Sequence, residues 1–351
     1  NPVQEPMITE RRRQILQYII DEYVGTAQPV GSGALVEKYH LPLSSATIRN
    51  EMAKLEEEGF IDQPHTSAGR VPTARGYRYY VEALMREQVV PEDLKQTIRH
   101  QFHQAALELE EWARLAAAVM ASSLRNAAVV TTPHSLQPRL RLMEIVGVHD
   151  SLALLVVVLQ EARVLQQTLT LERPLSQEEL TSIARKLNDL LAAKSAAEIR
   201  QTGPKLDEVE APFVDAAADL IESAEGHDTE PSYLEGLRDL LSQPEFTDGG
   251  RQLEILEAFD ERHIGQAIPM RDGEDRRKTA RPGEVTILIG DEHPLDAMRI
   301  CSVISTRYAG PSGLRGTLSV VGPTRMHYPR AVSMVRYMSA LMEELLGVYF
   351  A

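Results

Sequence analysis

The amino-acid sequence predicts an α+β multidomain protein that begins with a winged helix-turn-helix and continues with a sheet domain interrupted by a helical insert. Three observations support this prediction. Helical patterns and turn signals fill residues 1–90, and strand-like alternation begins at residue 126. An acidic helical block at about 200–267 and a charged loop at 271–284 separate those strands from a second set. The 351 residues are enough for two or three domains.

The same changes of pattern give the expected domain boundaries. The N-terminal module occupies residues 1–90, and a linker helix follows at 91–125. The sheet domain is predicted in two parts, 126–200 and 284–351, on either side of the insert at 201–283.

The composition excludes several classes of protein. Hydrophobic residues make up 43% of the chain and charged residues 25%, as in ordinary globular proteins, which excludes disorder throughout. The one long apolar run, residues 151–159, is about half the length that spans a bilayer, and no secretion signal opens the chain. A single cysteine, Cys301, excludes an intrachain disulfide and a thiolate metal cage. We therefore expect a cytoplasmic protein without a membrane partner.

The net charge of −14 is unevenly distributed. Residues 1–90 hold 10 Lys and Arg against 12 Asp and Glu, whereas the rest of the chain holds 27 against 39. An acidic body repels phosphate, which argues against a nonspecific nucleic-acid coat but leaves room for a small DNA-reading module. Residues 63–86 are locally basic, because they contain four arginines and one glutamate.

Helix caps and breakers organise the N-terminal module. Thr9 is a predicted cap of the first helix and Ser32 of a short second helix, and a third helix runs from about 46 to 58 and ends before Gly59. A short strand, an exposed loop and a fourth helix capped by Thr73 complete the pattern of a winged helix-turn-helix. A small helical domain of no special purpose is the alternative interpretation.

The third helix carries the evidence for DNA binding. Ile48, Met52 and Leu55 fall at i, i+4 and i+7 and would pack on the core, which leaves the opposite face exposed. That face and the following loop carry side chains that reach base edges and phosphates, and the N-terminus of a helix favours anions. The predicted DNA-binding residues are Ser44, Ser45, Thr47, Arg49, Asn50, Lys54, His65, Ser67 and Arg70.

Within this set we expect two kinds of contact. Thr47, Arg49 and Asn50 lie on the first turns and would read base edges, whereas Arg70, in the loop that forms the wing, would contact phosphate or the minor groove. Four glutamates within 51–58 would repel phosphate, so only the N-terminal half of the helix can lie deep in a groove. A solvated charged helix face is the alternative.

Several segments resemble one protein family. The stretches PVGSGALVEKYHLPLSSATIRNEMAKLEEEGFI (29–61) and TSAGRVPTARGYRYYV (66–81) resemble the N-terminal domain of the HrcA family of heat-inducible transcription repressors. The stretches LRDLLSQPEF (237–246) and GTLSVVGPTRMHYPRAVSMVRYMS (316–339) resemble its C-terminal segments. The resemblance implies a GAF-like sheet domain with an inserted dimerising domain. It also implies a homodimeric repressor of heat-shock chaperone operons that binds an inverted-repeat operator in double-stranded DNA and depends on the GroE chaperonin for folding.

The dimer is also expected on physical grounds. A single recognition helix reads only a few base pairs, so repressors normally present two half-site readers related by a two-fold axis. The helical insert around 206–267 is the first candidate surface. The helix at 92–125 is the second, because its apolar residues alternate spacings of four and three as in a coiled coil. Packing of this helix on its own domain is equally compatible with the pattern.

The rest of the chain reads as strands on either side of the insert. Strand patterns occupy 126–171 and 284–322, and Ser176 with Glu179 forms a capping box that opens a helix. The turn that ends with Arg325 could hold an anion, although a tight turn into the final helix is the stronger interpretation.

No constellation of residues predicts catalysis. His100 and His103 share a helix face, but no third ligand is identifiable, so we predict no metal site. His134, Asp150 and Ser302 are the residue types of a hydrolytic triad, but nothing in the sequence joins them. We predict no enzyme activity and no cofactor. The alternatives are a small-molecule-sensing repressor that uses the GAF-like domain, an enzyme with an accessory helix-turn-helix, and an oligomerisation scaffold.

Overall fold

The computed structural model has mixed helix and sheet, as the sequence predicts, and its residues group into two compact units. The first unit contains Asn1–Val130, Ser232–Arg307 and Thr317–Leu341. The second contains Thr131–Pro231, Tyr308–Gly316 and Met342–Ala351. The structure describes residues 8–65, 68–105, 108–135, 137–160, 163–202, 207–224, 232–247, 249–260, 268 and 283–349.

The first unit begins with four helices and a two-stranded ribbon. The helices are α1 (Glu10–Thr26), α2 (Ser32–Tyr39), α3 (Ser45–Glu57) and α4 (Ala74–Tyr79), the last continued by a π-helical turn at Tyr80–Leu84. The antiparallel strands between α3 and α4 are β1 (Ile61–Asp62) and β2 (Val71–Pro72). Thr9 and Thr73 each accept a backbone N–H three residues along, which confirms both predicted caps. The N-cap of α2 is Gly31 rather than Ser32.

The predicted linker helix at 91–125 consists of two helices, α5 (Glu92–Gln104) and α6 (Leu109–Leu124). Ala105 adopts an extended conformation with φ −68° and ψ 151°, which ends α5. Helix α6 buries Trp112 and several alanines over a broad face, instead of the narrow apolar stripe of a coiled coil. The apolar residues of α6 therefore pack within their own unit, which was one of the two possibilities for this segment.

A sheet covered on both faces forms the middle of the first unit. In order across the sheet its strands are β8 (Ser232–Glu235), β3 (Ala127–Thr131), β11 (Leu314–Pro323), β10 (Cys301–Ala309) and β9 (Val285–Ile289). The short strand β4 (His134–Ser135) pairs with Leu314 and Arg315 at the start of β11, and these residues are assigned to the second unit.

Alternate residues of these strands face different helices. Val303 packs in one core with helices α10 (Leu237–Leu241) and α11 (Gly249–Ala258). Ser302 points to the other face, where its hydroxyl lies 2.7 Å from the hydroxyl of Tyr328 at the start of helix α12 (Tyr328–Tyr349).

The second unit contains an antiparallel meander packed against helices. Its strands are β5 (Leu140–His149), β6 (Leu152–Leu159) and β7 (Val164–Thr170). Its helices are α7 (Gln177–Leu191), α8 (Ala196–Arg200) and α9 (Ala211–Ala224), which share one apolar core with the buried residues of β6. Ser176 and Glu179 form the predicted capping box at the start of α7.

The structure distributes the strands differently from the prediction. Residues 126–200 and 284–351 were expected to build one sheet, but β5–β7 form a separate sheet and only β3 and β4 of the first set join the strands after residue 284. Three elements of the expected insert at 201–283 belong with the sheet that contains β9–β11: helices α10 and α11 pack on it, and the unpredicted strand β8 pairs with β3 at its edge. The physical reason is local pairing: short hairpins join β5, β6 and β7, so each finds its backbone partner a few residues away.

Among the described residues, no helix combines the length and apolar character needed to cross a membrane.

Candidate nucleic-acid interface

Capping hydrogen bonds fix both ends of helix α3. Ser44 is its N-cap and accepts a hydrogen bond from the backbone N–H of Thr47 at 3.1 Å, while the two side-chain hydroxyls lie 2.9 Å apart. At the other end Gly59 has a φ of 76°, a left-handed conformation in which a side chain would be strained. Its N–H donates to the carbonyl of Glu56 at 2.9 Å. The predicted terminator of this helix is therefore confirmed, with the helix itself starting at Ser45.

The buried and exposed faces of α3 follow the predicted orientation. Ile48, Met52 and Leu55 are buried against the core of the N-terminal helices. Thr47 is half-buried beside the cap. The predicted site residues that the structure places exposed on this helix and its N-cap are Ser44, Ser45, Arg49, Asn50 and Lys54.

Most of the carboxylates on α3 are not free charges. Glu51 turns toward α1, where the Arg12 side chain reaches it at 3.3 Å and also pairs with Glu58. Glu56 pairs with Arg70 at 2.8 Å. The repulsion expected between this end of the helix and phosphate is therefore reduced by arginines from outside the helix.

The predicted wing is hydrogen-bonded at its base to the body of the N-terminal module. The backbone of Arg70 exchanges two hydrogen bonds with Val30, at 2.8 and 2.9 Å. The chain approaches so closely here that a Cβ on Gly69 would lie 2.5 Å from the Val30 carbonyl. His65 is exposed on the wing, and Ser67 lies outside the described residues.

Three further arginines lie around this surface and were not predicted as site residues. On the first turn of α1, Arg11 is exposed and Arg13 is half-buried, and a guanidinium nitrogen of Arg11 lies 3.9 Å from Glu51. Arg75 is exposed on α4, with its guanidinium 4.9 Å from the centre of the Phe60 ring. The run of three arginines after Glu10 was the available sequence signal for the first two.

Two arginines join the N-terminal module to the rest of the first unit. Arg78 of α4 binds both carboxylate oxygens of Glu292 and donates to the carbonyl of Ile287 at 2.7 Å. Arg325 binds Glu245 and donates to the carbonyl of Val24 at the end of α1, at 3.3 Å. Arg325 thus has a carboxylate partner within the protein, consistent with a structural turn rather than an anion site.

Partial or full burial shifts the pKa values of polar groups beside this junction. Burial raises the pKa of Asp21, opposed by the nearby charge of His327, and burial also raises the pKa of Tyr77 well above its usual range. The ring of Tyr77 lies 5.7 Å from that of Tyr328. Burial raises the pKa of the Cys301 thiol to about 12, in agreement with its interpretation as a buried and inert side chain.

Within the described ranges, no group of three or more His, Cys, Asp or Glu side chains could hold a metal ion.

Comparisons with known proteins identify the family. The family described as HrcA protein C-terminal domain matches residues 110–332. A heat-inducible transcription repressor HrcA from Roseiflexus castenholzii is 43% identical over 349 residues, and the match covers 97% of this chain and 95% of that protein. The protein of the same name from Chloroflexus aurantiacus is 41% identical over 360 residues, covering 97% and 94%. A crystal structure of a hypothetical protein shares the fold with a TM-score of 0.59 at 23% identity, covering 97% of this chain and 99% of that one. The chain therefore belongs to the HrcA family of heat-inducible transcription repressors.

Proposed function

We propose that this chain represses heat-shock chaperone operons by binding double-stranded operator DNA through an N-terminal winged helix-turn-helix. In this proposal α2 and α3 are the helix-turn-helix, and β1, β2 and the loop between them are the wing. The observation that carries the proposal is the exposed face of α3, on which Arg49, Asn50 and Lys54 lie together while two carboxylates of the helix, Glu51 and Glu56, are ion-paired.

Each side chain on this surface has a proposed role. Thr47, Arg49 and Asn50 read base edges, because Arg pairs bidentately with guanine and Asn with adenine. Lys54 contacts phosphate. The hydroxyls of Ser44 and Ser45 hold a phosphate at the helix N-terminus, whose free N–H groups attract anions. His65, Ser67 and Arg70 contribute from the wing.

A titration with matched duplexes tests this function. The full chain is titrated against a labelled inverted-repeat duplex from the region upstream of a chaperone operon, and against a scrambled duplex of the same composition, at several salt concentrations. We expect at least a thousandfold preference for the operator at physiological salt, in the range of specific DNA-binding proteins. Equal affinity for both duplexes would refute the proposal.

We further propose that the repressor is a homodimer in the cytoplasm and that β5–β7 with α7–α9 form its dimerising domain. The cross-strand register puts Val146 of β5, Leu154 of β6 and Thr168 of β7 on one face of the meander, the face without the helices. Val146 and Val164 are exposed on this face, and Val164 is opposite half-buried Val158. An exposed aliphatic sheet face of this kind fits a second copy of the chain better than the helical surface at 206–267 first considered.

The remaining sheet, with α12, is proposed as the GAF-like domain, whose folding is assisted by the GroE chaperonin. Strand β3 pairs with β11, although the whole β5–β7 sheet lies between them in sequence. Such long-range pairing is slow and leaves apolar strands exposed meanwhile. Refolding of the full chain with and without chaperonin and ATP, measured by recovered operator binding, tests this dependence. Equal recovery in both conditions would favour the alternative of a small-molecule-sensing repressor, which no observation among the described residues supports.

A further inference from the structure

The wing arginine Arg70 does not extend into solvent. Its Nε and Nη2 atoms lie 3.0 and 2.8 Å from the same carboxylate oxygen of Glu56, and its side chain is only 17% exposed. Both backbone hydrogen-bonding groups of Arg70 are engaged with Val30. The guanidinium is therefore held against α3 by the backbone on one side and by a carboxylate on the other.

The carboxylate that Arg70 contacts is one that DNA binding must tolerate. Glu56 lies on the same helix as the exposed Arg49 and Asn50, about two turns further on. A free carboxylate so close to the side chains that would contact DNA repels the phosphate backbone, and an ion pair with an arginine removes most of that repulsion.

Arg12 makes the corresponding contact from α1. It joins Glu51 and Glu58, and the three side chains are no more than 21% exposed. By contrast, Glu57 is exposed and has no ion-pair partner among the described residues. The paired glutamates are thus the three half-buried ones, each held by an arginine from α1 or the wing.

We propose that Arg70 is a positioning residue that supports DNA binding by neutralising Glu56 and holding the wing against α3, instead of contacting phosphate itself. This inference rests on the proposed function, since it assigns a role within the same DNA-binding module. It differs from the expectation based on sequence, in which the Arg70 guanidinium reaches the DNA directly.

The test replaces the ion pair by a neutral pair of similar shape. Four full-length proteins are compared: the wild type, R70Q, E56Q and the double variant R70Q/E56Q. We expect R70Q to bind both operator and scrambled duplex roughly tenfold more weakly, because one uncompensated carboxylate remains on α3. The double variant recovers most of that loss, since neither charge remains.

The salt dependence separates the two possible roles of Arg70. If the guanidinium contacts phosphate, its removal lowers the slope of log affinity against log salt by about 0.9, and E56Q cannot restore it. We expect the double variant to keep the wild-type slope. A double variant that stays as weak as R70Q, with the lower slope, would overturn the proposal.

The neighbouring glutamate provides a matched control. R70Q/E57Q has the same net charge as R70Q/E56Q but leaves the half-buried Glu56 without its partner. We expect E57Q to rescue R70Q less than E56Q does, and equal rescue would refute a specific role for the pair. Circular dichroism confirms that each variant is folded. The wild-type protein also tests the proposed function itself. If it bound operator and scrambled duplex equally well, the proposed function would be refuted, and not only this inference.

Discussion

Replacing Asn50 by alanine should reduce operator preference without reducing stability. The Asn50 side chain is exposed on the first turns of α3 and no ion pair or hydrogen bond within the described residues uses its amide, so its removal leaves packing unchanged. Ile48, two residues earlier, is fully buried and shows that the helix core lies on the other side. A lost bidentate contact to adenine costs about 1–3 kcal/mol, which corresponds to roughly 5- to 150-fold in operator affinity. Arg49→Ala has the same expected size at a guanine.

Fluorescence anisotropy with the full chain measures this effect. Asn50→Ala and Arg49→Ala should weaken binding to the operator and leave binding to a scrambled duplex nearly unchanged. Lys54→Ala is the matched control on the same helix, because loss of a phosphate contact weakens binding to both duplexes equally and lowers the salt slope by about one. If folded Asn50→Ala and Arg49→Ala both retain wild-type discrimination, α3 is not the reading helix and the module has been assigned wrongly.

Three further predictions concern the rest of the molecule. Lysine at both Val146 and Val164 should convert a dimer into a monomer in analytical ultracentrifugation, because each charge would be buried at the proposed interface; an unchanged sedimentation coefficient would exclude this face. Arg325→Ala should lower the free energy of unfolding by about 1–3 kcal/mol in urea titrations, because it leaves the carboxylate of Glu245 without its partner. Arg299→Ala, which removes an exposed pair, should change it by less than about 0.5 kcal/mol, and equal effects would contradict the argument. Because burial raises its thiol pKa to about 12, Cys301 should resist alkylation at pH 8 until the protein is unfolded, and rapid labelling of the folded chain would contradict this.

Local signals in the sequence predicted the helices of the N-terminal module well. Thr9, Gly59 and Thr73 each act where a cap or terminator was expected, because these interactions join residues a few positions apart. The orientation of α3 followed from three apolar residues at helical spacing. The ion pair between Glu56 and Arg70 was not predictable in the same way, because it depends on how the wing folds back onto the helix.

The sequence-based predictions were wrong where short-range sequence patterns gave no signal. Neither proline nor glycine marks Ala105, where the first part of the expected linker helix ends, so residue type gave no sign of the break. Strand β8 has four residues, too few to show an alternating pattern, and it becomes a strand by pairing with β3. The sequence contained strands on both sides of a helical block, but it held no information on which strands pair.

The observed pairing predicts an order of folding that the expected single sheet would not. In the second unit, β5, β6 and β7 pair with neighbours a few residues away, so this sheet can form early. Val129 of β3 pairs with Ser319 of β11, which requires closure over the whole intervening chain. In pulsed hydrogen exchange during refolding, we expect the amides of Leu155 and Val157 to become protected before those of Val129 and Ser319. Simultaneous protection of both sets would show that the two sheets form in one cooperative step, and the argument from pairing distance would then fail.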